Sequence, residues 1–191
     1  THAHLRYAEA MAHWGDAEAA FFALRQANPI GLRDAVGRAR PRQRNCYTSS
    51  SDACFADRYE AASRYDELKA GAIDFEGGWR VYSSGAGIAM QLIRGSLLGL
   101  RESRAQWTID PVLPRALDGL RVAIEVAGMP VEVVYRIREV GHGPAMLTLN
   151  GEPLAFATAA NPYREGAAVV AMETLRARLV PAGNTLVVTL R

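Results

Sequence analysis

The segment Ser83-Ser84-Gly85-Ala86-Gly87 consists of small residues and directly precedes an apolar stretch, residues 88–100, that is predicted to be a helix. Small side chains let the backbone approach a ligand closely. The unpaired N–H groups of a first helical turn, together with the positive end of the helix dipole, attract an anion. The segment therefore predicts either an anion-binding site or a helix start that is simply capped by serine hydroxyl groups.

A second group of residues suited to anions lies in the long polar segment 28–50. This segment has Asp34 as its one acidic residue, and its arginines are Arg33, Arg38, Arg40, Arg42 and Arg44. Guanidinium groups bind phosphate and carboxylate groups in bidentate geometry, and loops of this length are usually functional or disordered. A solvated basic surface is the alternative interpretation.

A polar face on the next predicted helix is the third candidate. The pattern predicts that Ser51 or Asp52 caps a helix that carries, at helical spacing, Phe55, Tyr59, Ala62 and Asp66. Asp57, Arg58 and Glu60 belong to the same helix. They form either ordinary surface ion pairs or part of a binding site.

The N-terminal residues show the periodicity of a helical hairpin. Leu5, Ala8 and Ala12 form one stripe, and Asp16 caps a second helix. The predicted buried face of this second helix is Ala17, Ala20, Phe21 and Leu24. The stretch 88–100 is apolar on nearly every side, which predicts burial among other helices, and the chain supplies too few of them. We therefore expect this chain to be a piece of a larger protein.

After residue 104 the apolar period changes from that of a helix to two, which is the period of a half-buried strand. The strongest hairpin signal is Asn150-Gly151. The predicted strands are residues 107–111, 120–126, 131–137, 145–149, 154–158, 169–175 and 185–190. Strands at this spacing indicate an antiparallel β-sandwich over residues 105–191. Trp107 and Tyr135 are predicted to lie in its core.

Composition and charge narrow the classes of partner. The net charge is +2 and 49% of the residues are hydrophobic, so neither nucleic acid nor a membrane surface is expected as a partner. Cys46 and Cys54 are expected to be free thiols in a cytoplasmic protein, and no His–Cys spacing predicts a metal site. No apolar run is long enough to span a bilayer. His142 lies between two glycines and is predicted to be a turn residue rather than a catalyst.

Several of these segments together resemble one enzyme family. The C-terminal third of the cellobiose phosphorylase family is similar in the order and spacing of four motifs: Gly77-Gly78-Trp79, Tyr82-Ser83-Ser84-Gly85-Ala86-Gly87, Leu98-Gly99-Leu100-Arg101 and Ile109-Asp110-Pro111. Asn28-Pro29-Ile30 resembles a further landmark of that family. The segment from Ser49 to Tyr59 and the Ser83-Ser84 pair resemble the branch that acts on β-1,2-linked glucans, namely the 1,2-β-oligoglucan phosphorylases and the C-terminal region of cyclic β-1,2-glucan synthases.

The resemblance implies a fold and an activity. The fold is α+β, with the last helices of an (α/α)6 barrel in residues 1–104 and an antiparallel, jelly-roll-like β-sandwich in residues 105–191. The activity is that of an inverting phosphorylase, which uses inorganic phosphate and no cofactor to release α-glucose 1-phosphate from a β-glucan oligosaccharide. The general-acid aspartate is expected upstream, so this chain alone is expected to be inactive. The expected protein partners are the N-terminal remainder of the same enzyme and a second copy in a homodimer.

The family pattern also implies candidate site residues. Phosphate is expected at Ser83, Ser84 and Gly85, where Ser83 and Ser84 replace a Thr-Gly pair of the family. Many members carry a histidine after Asn-Pro-Ile, but here Gly31-Leu32-Arg33 follows, so either Arg33 or another loop arginine takes its place or phosphate binding is altered. The expected sugar-binding residues are Trp79, Tyr82, Asp57, Tyr59 and Arg44. The alternatives are a non-catalytic carbohydrate-binding module, a structural or interaction role, and a hydrolase on the same scaffold.

Overall fold

The structure is a computed structural model that describes residues 2–27, 39–41, 52–77 and 83–191, with the backbone alone at residues 39–41, 52, 75–77, 83 and 84. The chain divides into two compact units. The first unit comprises Thr1–Ala8 and Phe22–Gln91, and the second comprises Glu9–Phe21 and Leu92–Arg191. The chain is α+β, as predicted. The division into domains between residues 104 and 105 stays a prediction.

Two helices, α1 (His2–Trp14) and α2 (Ala17–Ala27), form the predicted hairpin. The connection is short because Gly15 takes a left-handed conformation with a φ of 95°. The Asp16 carboxylate then caps α2 by accepting a hydrogen bond of 2.9 Å from the Ala19 N–H. The buried residues of the pair are Leu5, Ala8, Ala12, Ala20 and Ala23. The other residues of the predicted face of α2 are half-buried, namely Ala17, Phe21 and Leu24.

Between residues 39 and 77, the described part of the first unit contains a small sheet and two short helices. Its elements are β1 (Ala39–Pro41), β2 (Asp52–Ala53), α3 (Arg58–Ser63), α4 (Tyr65–Lys69) and β3 (Phe75–Gly77). Strand β3 pairs in parallel with β1 and antiparallel with β2. The prediction that Asp52 caps the helix is wrong, because Asp52 lies in β2 and the side chain of Asp57 caps α3. Ser51 lies outside the described residues.

A continuous helical segment runs through the predicted anion site. A π-helical turn (Ser83–Gly87) leads into α5 (Ile88–Leu92), which continues as a second π-helical turn (Ile93–Leu97). The helix therefore begins and ends earlier than predicted. The helix ends because Gly99 takes a left-handed conformation with a φ of 67°. Gly99 also lies close to Asp110: a Cβ on Gly99 would be 2.1 Å from the carbonyl carbon of Asp110.

The exposure of this helical segment differs from one side to the other. Ala89 and Leu92 are buried, whereas Met90 is 63% exposed. Burial was predicted for nearly every side of the helix, and in the structure it is present on one side of it.

Nine strands in the second unit form two sheets. The strands are β4 (Leu100–Glu102), β5 (Gln106–Ile109), β6 (Arg121–Val126), β7 (Met129–Arg136), β8 (Pro144–Leu149), β9 (Glu152–Pro153), β10 (Ala157–Thr158), β11 (Ala168–Ala171) and β12 (Asn184–Leu190). Their order is β10-β11-β5-β4 in one sheet and β6-β7-β12-β8-β9 in the other. The predicted antiparallel arrangement is wrong for one pair, because β7 and β12 run parallel. The second sheet is therefore mixed.

Two hairpins follow from residues that accept positive φ. Asn150 and Gly151 have φ values of 55° and 87°, which confirms the predicted turn after β8. Ala127 and Gly128, with φ values of 52° and 81°, form the turn between β6 and β7. Two successive positive φ angles give the type I′ geometry that matches the twist of paired strands. The second turn is thus shorter than the predicted connection, which had also included Met129 and Pro130.

Two predicted strands differ from the observed ones. Residues 154–158 were expected to pair with β8, but the strand that pairs with it is Glu152–Pro153. Leu154 adds one hydrogen bond of 2.9 Å from its N–H to the Leu147 carbonyl of β8, and Ala157–Thr158 pairs with β11 in the other sheet. The strand expected over residues 169–175 stops at Ala171 and is followed by helix α6 (Met172–Arg176). Met172 and Leu175 are both buried, and their spacing of three places them on one side of a helix.

Both sheets contribute to one hydrophobic core in the second unit. Trp107 of β5 is 2% exposed and Tyr135 of β7 is fully buried, which confirms their predicted core position. The Tyr135 hydroxyl donates a hydrogen bond of 2.7 Å to the Leu98 carbonyl. Burial raises the pKa of Tyr135 above its ordinary value. The core thus ties the sheet to the chain just after the second π-helical turn.

Candidate functional site

The predicted phosphate-binding residues occupy the first turn of the helical segment 83–97. Ser83, Ser84 and Gly85 all belong to the π-helical turn Ser83–Gly87, and Gly85 is buried. The first N–H groups of a helix have no partner within the helix and carry the positive end of its dipole. The assignment of phosphate to these residues stays a prediction. Arg33, Arg44, Trp79 and Tyr82 lie outside the described residues.

Asp57 and Tyr59, two predicted sugar-binding residues, lie at the start of α3. The Asp57 Oδ1 atom accepts hydrogen bonds of 2.9 Å from the N–H groups of both Tyr59 and Glu60. Tyr59 is 69% exposed. The Arg58 guanidinium donates a hydrogen bond of 2.7 Å to the Tyr59 hydroxyl and lies 4.8 Å from the ring centroid. Asp57 therefore fixes the turn that presents the Tyr59 ring to solvent.

The remaining charges on α3 and α4 form surface ion pairs. Arg64 contacts Glu60 at 2.5 Å and Glu67 at 2.8 Å. The pKa of Glu60 is lowered, first by the hydrogen bond from the Ala56 N–H and then by Arg64. The pKa of Glu67 is lowered by Arg64. Of the three charged residues predicted for this face, Glu60 is thus in an ordinary i, i+4 ion pair.

A buried ionic cluster in the second unit was not predicted. Asp110 is 7% exposed and is bound in bidentate fashion by Arg164, at 2.7 Å from Oδ1 and 3.1 Å from Oδ2. Arg101 donates a further hydrogen bond of 2.9 Å to Oδ2. Arg101 and Asp110 are separated from Arg164 by long stretches of sequence, so local patterning gave no signal that the three side chains meet. We call Arg101, Asp110 and Arg164 the Asp110 cluster.

The Asp110 cluster connects separate parts of the second unit. Besides binding Asp110 at the end of β5, Arg164 donates a hydrogen bond of 3.1 Å from Nε to the Ala12 carbonyl of α1. It also donates one of 3.1 Å to the Glu165 carbonyl. The Arg164 side chain is 5% exposed, whereas that of Arg101 is 49% exposed. Arg164 is thus the buried member that holds α1, β5 and the segment before β11 together.

His142 lies beside the Asp110 cluster, in the connection between β7 and β8, in agreement with its prediction as a turn residue. Its Nδ1 atom is buried and has no hydrogen-bond partner. A Cβ on Gly15 would lie 2.9 Å from His142 Nε2. Burial, and then the charge of Arg164, lower the pKa of His142, with smaller opposing effects of Asp110 and Glu165. Burial and the charge of Arg164 thus both favour the neutral form of the ring.

Comparison with known proteins finds a family that most of the second unit resembles. Residues 99–186 match the family described as Glycoside phosphorylase C-terminal domain. Residues 99–186 are thus similar to the C-terminal domain of glycoside phosphorylases. Over 174 residues the chain is also 40% identical to a 1,2-β-oligoglucan phosphorylase of Listeria innocua serovar 6a, and this match covers 91% of the chain and 16% of that relative. The chain thus spans about one sixth of the length of this curated relative. The predicted resemblance to glycoside phosphorylases is confirmed.

The matched residues 99–186 include the Asp110 cluster and His142. The match begins at Gly99, the residue whose missing Cβ allows the close approach to Asp110. The match to the Listeria enzyme covers more of the chain than residues 99–186. The similarity to a phosphorylase therefore extends beyond the β-rich domain.

Neither a metal centre nor a spanning helix is present in the part of the chain that the structure describes. Within residues 2–27, 39–41, 52–77 and 83–191, no three His, Cys, Asp or Glu side chains are placed to hold a metal ion. Of the helices in those ranges, none has the length and apolar character needed to cross a membrane. Cys54 is an exposed free thiol.

Proposed function

We propose that the full-length protein that carries this chain cleaves β-1,2-linked gluco-oligosaccharides with inorganic phosphate to give α-glucose 1-phosphate. The observation that carries this proposal is the 40% identity to a 1,2-β-oligoglucan phosphorylase over 91% of the chain. The preceding part of the protein would form most of an (α/α)6 barrel. This chain would supply its last helices and a jelly-roll-like sandwich.

The reaction that we propose is an inverting phosphorolysis. A phosphate oxygen forms a bond to the anomeric carbon while the glycosidic C–O bond on the opposite face breaks, and a carboxylic acid gives its proton to the leaving oxygen. Phosphate takes the position of the water and of the base that would activate it in an inverting hydrolase. The acid would come from the part of the enzyme upstream of this chain. No cofactor is needed, because neither bond change transfers electrons to or from the protein.

Phosphate would bind at the start of the helical segment 83–97. Ser83, Ser84 and Gly85 would offer hydroxyl and backbone N–H donors there, and Arg33 would add a positive charge. The position of all three small residues in the first turn of a helix supports this assignment. The sugar would contact Trp79, Tyr82, Tyr59 and Arg44, with Asp57 holding the turn that carries Tyr59.

The compartment and the assembly are part of the same proposal. A phosphorylated, charged product is retained by membranes, which favours a cytoplasmic enzyme. The proposed assembly is a homodimer, which size-exclusion chromatography with light scattering would detect as a mass twice that of the full-length chain. A single-chain mass at micromolar concentration would exclude it.

The test is a phosphate-dependence assay on the full-length protein. Sophorose-type β-1,2-oligosaccharides and cello-oligosaccharides are incubated with and without inorganic phosphate, and α-glucose 1-phosphate is measured. We expect release from the β-1,2 substrates only when phosphate is present. Release of free glucose independent of phosphate would indicate a hydrolase, and the absence of any cleavage together with glycan binding would indicate a carbohydrate-binding module.

A further inference from the structure

Two aromatic side chains of the second unit stack on each other at the surface. Trp14, the last residue of α1, is 66% exposed, and Tyr163 is 63% exposed. Their ring centroids are 5.8 Å apart and their planes form an angle of 26°. Large aromatic rings are normally buried, so two exposed rings held together are a feature that a ligand can explain.

The backbone on both sides of this aromatic pair is fixed. Gly15 follows Trp14, and its N–H donates a hydrogen bond of 3.0 Å to the Met11 carbonyl. The space around Gly15 is filled, because a Cβ there would lie 2.9 Å from His142 Nε2 and 3.0 Å from Arg164 Cδ. The backbone that carries Trp14 is therefore rigid.

Tyr163 is anchored in the same way by its own neighbours. Its N–H donates a hydrogen bond of 2.9 Å to Asn161 Oδ1, and the next residue is the buried Arg164 of the Asp110 cluster. The same guanidinium binds the Ala12 carbonyl, two residues before Trp14. One buried side chain thus positions both rings, and a ligand that binds them would lose little of its binding free energy to ordering of the protein.

The surroundings of the pair favour a small amphipathic ligand. Within two residues of each ring the chain has no large aliphatic side chain, and His13, Asp16, Asn161 and Glu165 there are polar or charged. Indole N–H and phenol O–H groups add hydrogen-bonding atoms at the ring edges. A stable protein partner would need about 800 Å² of surface on each side, which two rings do not provide. A pyranose ring has one face of C–H groups and a rim of hydroxyl groups, which matches this arrangement.

We propose that the Trp14–Tyr163 pair is a glycan-binding site that stacks against a glucose residue of a β-linked glucan. The choice of glucose rests on the proposed function, whereas the stacking geometry does not. The site would hold part of a longer chain while another part of that chain reacts.

The test compares substrates of different length in the full-length protein. For long β-1,2-glucan chains, Trp14→Ala and Tyr163→Ala should raise KM by about 2- to 10-fold, which is the range that an aromatic contact gives, with kcat unchanged. KM for a trisaccharide should stay within twofold of the unaltered protein. Tyr163→Phe and Trp14→Phe keep a ring and should restore most of the affinity. Tyr65→Ala, which removes an exposed tyrosine outside the pair, is the matched control.

A binding measurement separates this inference from the proposed function. Calorimetric titration of the full-length protein with β-1,2-glucan, without phosphate, should show weaker binding in Trp14→Ala and Tyr163→Ala. If phosphorolysis occurs but both variants bind and turn over long chains normally, the glycan site is refuted and the function stands. If phosphorolysis is absent but glucan binding still depends on Trp14, the function fails and the site stands. A lowered Tm with equal loss for all substrate lengths would indicate that the pair packs against another part of the polypeptide, and it would overturn the inference.

Discussion

Removal of Arg164 tests whether the Asp110 cluster holds the second unit together. Arg164→Leu deletes the bidentate contact with Asp110 and the hydrogen bond to the Ala12 carbonyl. Breaking a buried ion pair by removing one partner costs about 3–5 kcal/mol. Arg101 remains on Asp110, but its side chain is 49% exposed, and such a contact is worth about 0–1 kcal/mol. We therefore expect Arg164→Leu to lower the free energy of unfolding by about 3 kcal/mol, the lower end of that range.

Hydrogen exchange of the full-length protein is the appropriate assay, because it reports the free energy of opening of individual segments. A loss of about 3 kcal/mol lowers protection by about two powers of ten. The decrease should appear in peptides that cover residues 9–21 and 105–113, which Arg164 connects. Arg101→Leu is the matched control and should lower protection by less than about tenfold.

Two results would refute this reasoning. One is unchanged protection of both segments in Arg164→Leu. The other is an effect of Arg101→Leu as large as that of Arg164→Leu, since exposure would then not determine the strength of the contact. The double variant Asp110→Leu with Arg164→Leu adds a further check: it should cost less than the sum of the single changes, because it leaves no unpaired buried charge.

Three further predictions concern a proton, a glycine and the phosphate site. The pKa of His142 lies below its ordinary value of 6.5 in the folded state, so the unfolded state binds more protons as the pH falls through 6.5. The contribution of His142 to the free energy of unfolding should therefore be fully present above that pH and be lost below it. Urea unfolding from pH 8 to 5 should show this slope, and His142→Gln should reduce it. Gly99→Ala should lower the free energy of unfolding by at least about 3 kcal/mol, because both backbone strain and a steric clash oppose it. Gly128 has a φ of 81° and nothing within 4 Å, so Gly128→Ala should lower it by about 1–2 kcal/mol. Comparable losses for the two variants in thermal unfolding would contradict the role of close packing. Ser83→Ala and Ser84→Ala should each raise the phosphate KM by at least about tenfold, since a hydrogen bond to a charged group is worth about 1.5–3 kcal/mol, and unchanged phosphate kinetics in both would remove these residues from the site.

Features of the fold that depend on neighbouring residues were predictable. Asn150-Gly151 is a type I′ turn because two adjacent residues accept positive φ. Trp107 lies in the core because burial alternates along β5, whereas Tyr135 lies in the core within a run of three buried residues, 133–135, of β7. The start of α3 was not predictable to the residue. Several polar residues near one another all favour a cap, and only the observed bonds to Asp57 choose between them.

Features that depend on distant residues were not predictable. The parallel pairing of β7 with β12 joins segments about fifty residues apart, and no local pattern distinguishes it from an antiparallel arrangement. The helix α6 was missed because Val169 and Val170 favour a strand, and the burial of Met172 and Leu175 on one side then outweighs that local preference. The Asp110 cluster was missed for the same reason of sequence distance.

The structure separates two kinds of residue within the motifs that resemble the phosphorylase family. Gly99, Arg101 and Asp110 belong to two of these motifs, and their contacts are internal: Gly99 leaves room for the Asp110 backbone, and the Asp110 carboxylate is occupied by two guanidinium groups. A carboxylate held in this way has no free geometry for acid–base work on a sugar, so these motifs serve to position other parts of the chain. The small residues at Ser83–Gly87 form the first described turn of a helical segment, and the first N–H groups of a helix generally have no partner within it. The chemistry that this chain contributes is therefore expected at the start of that helix, and the Asp110 cluster provides support for the domain.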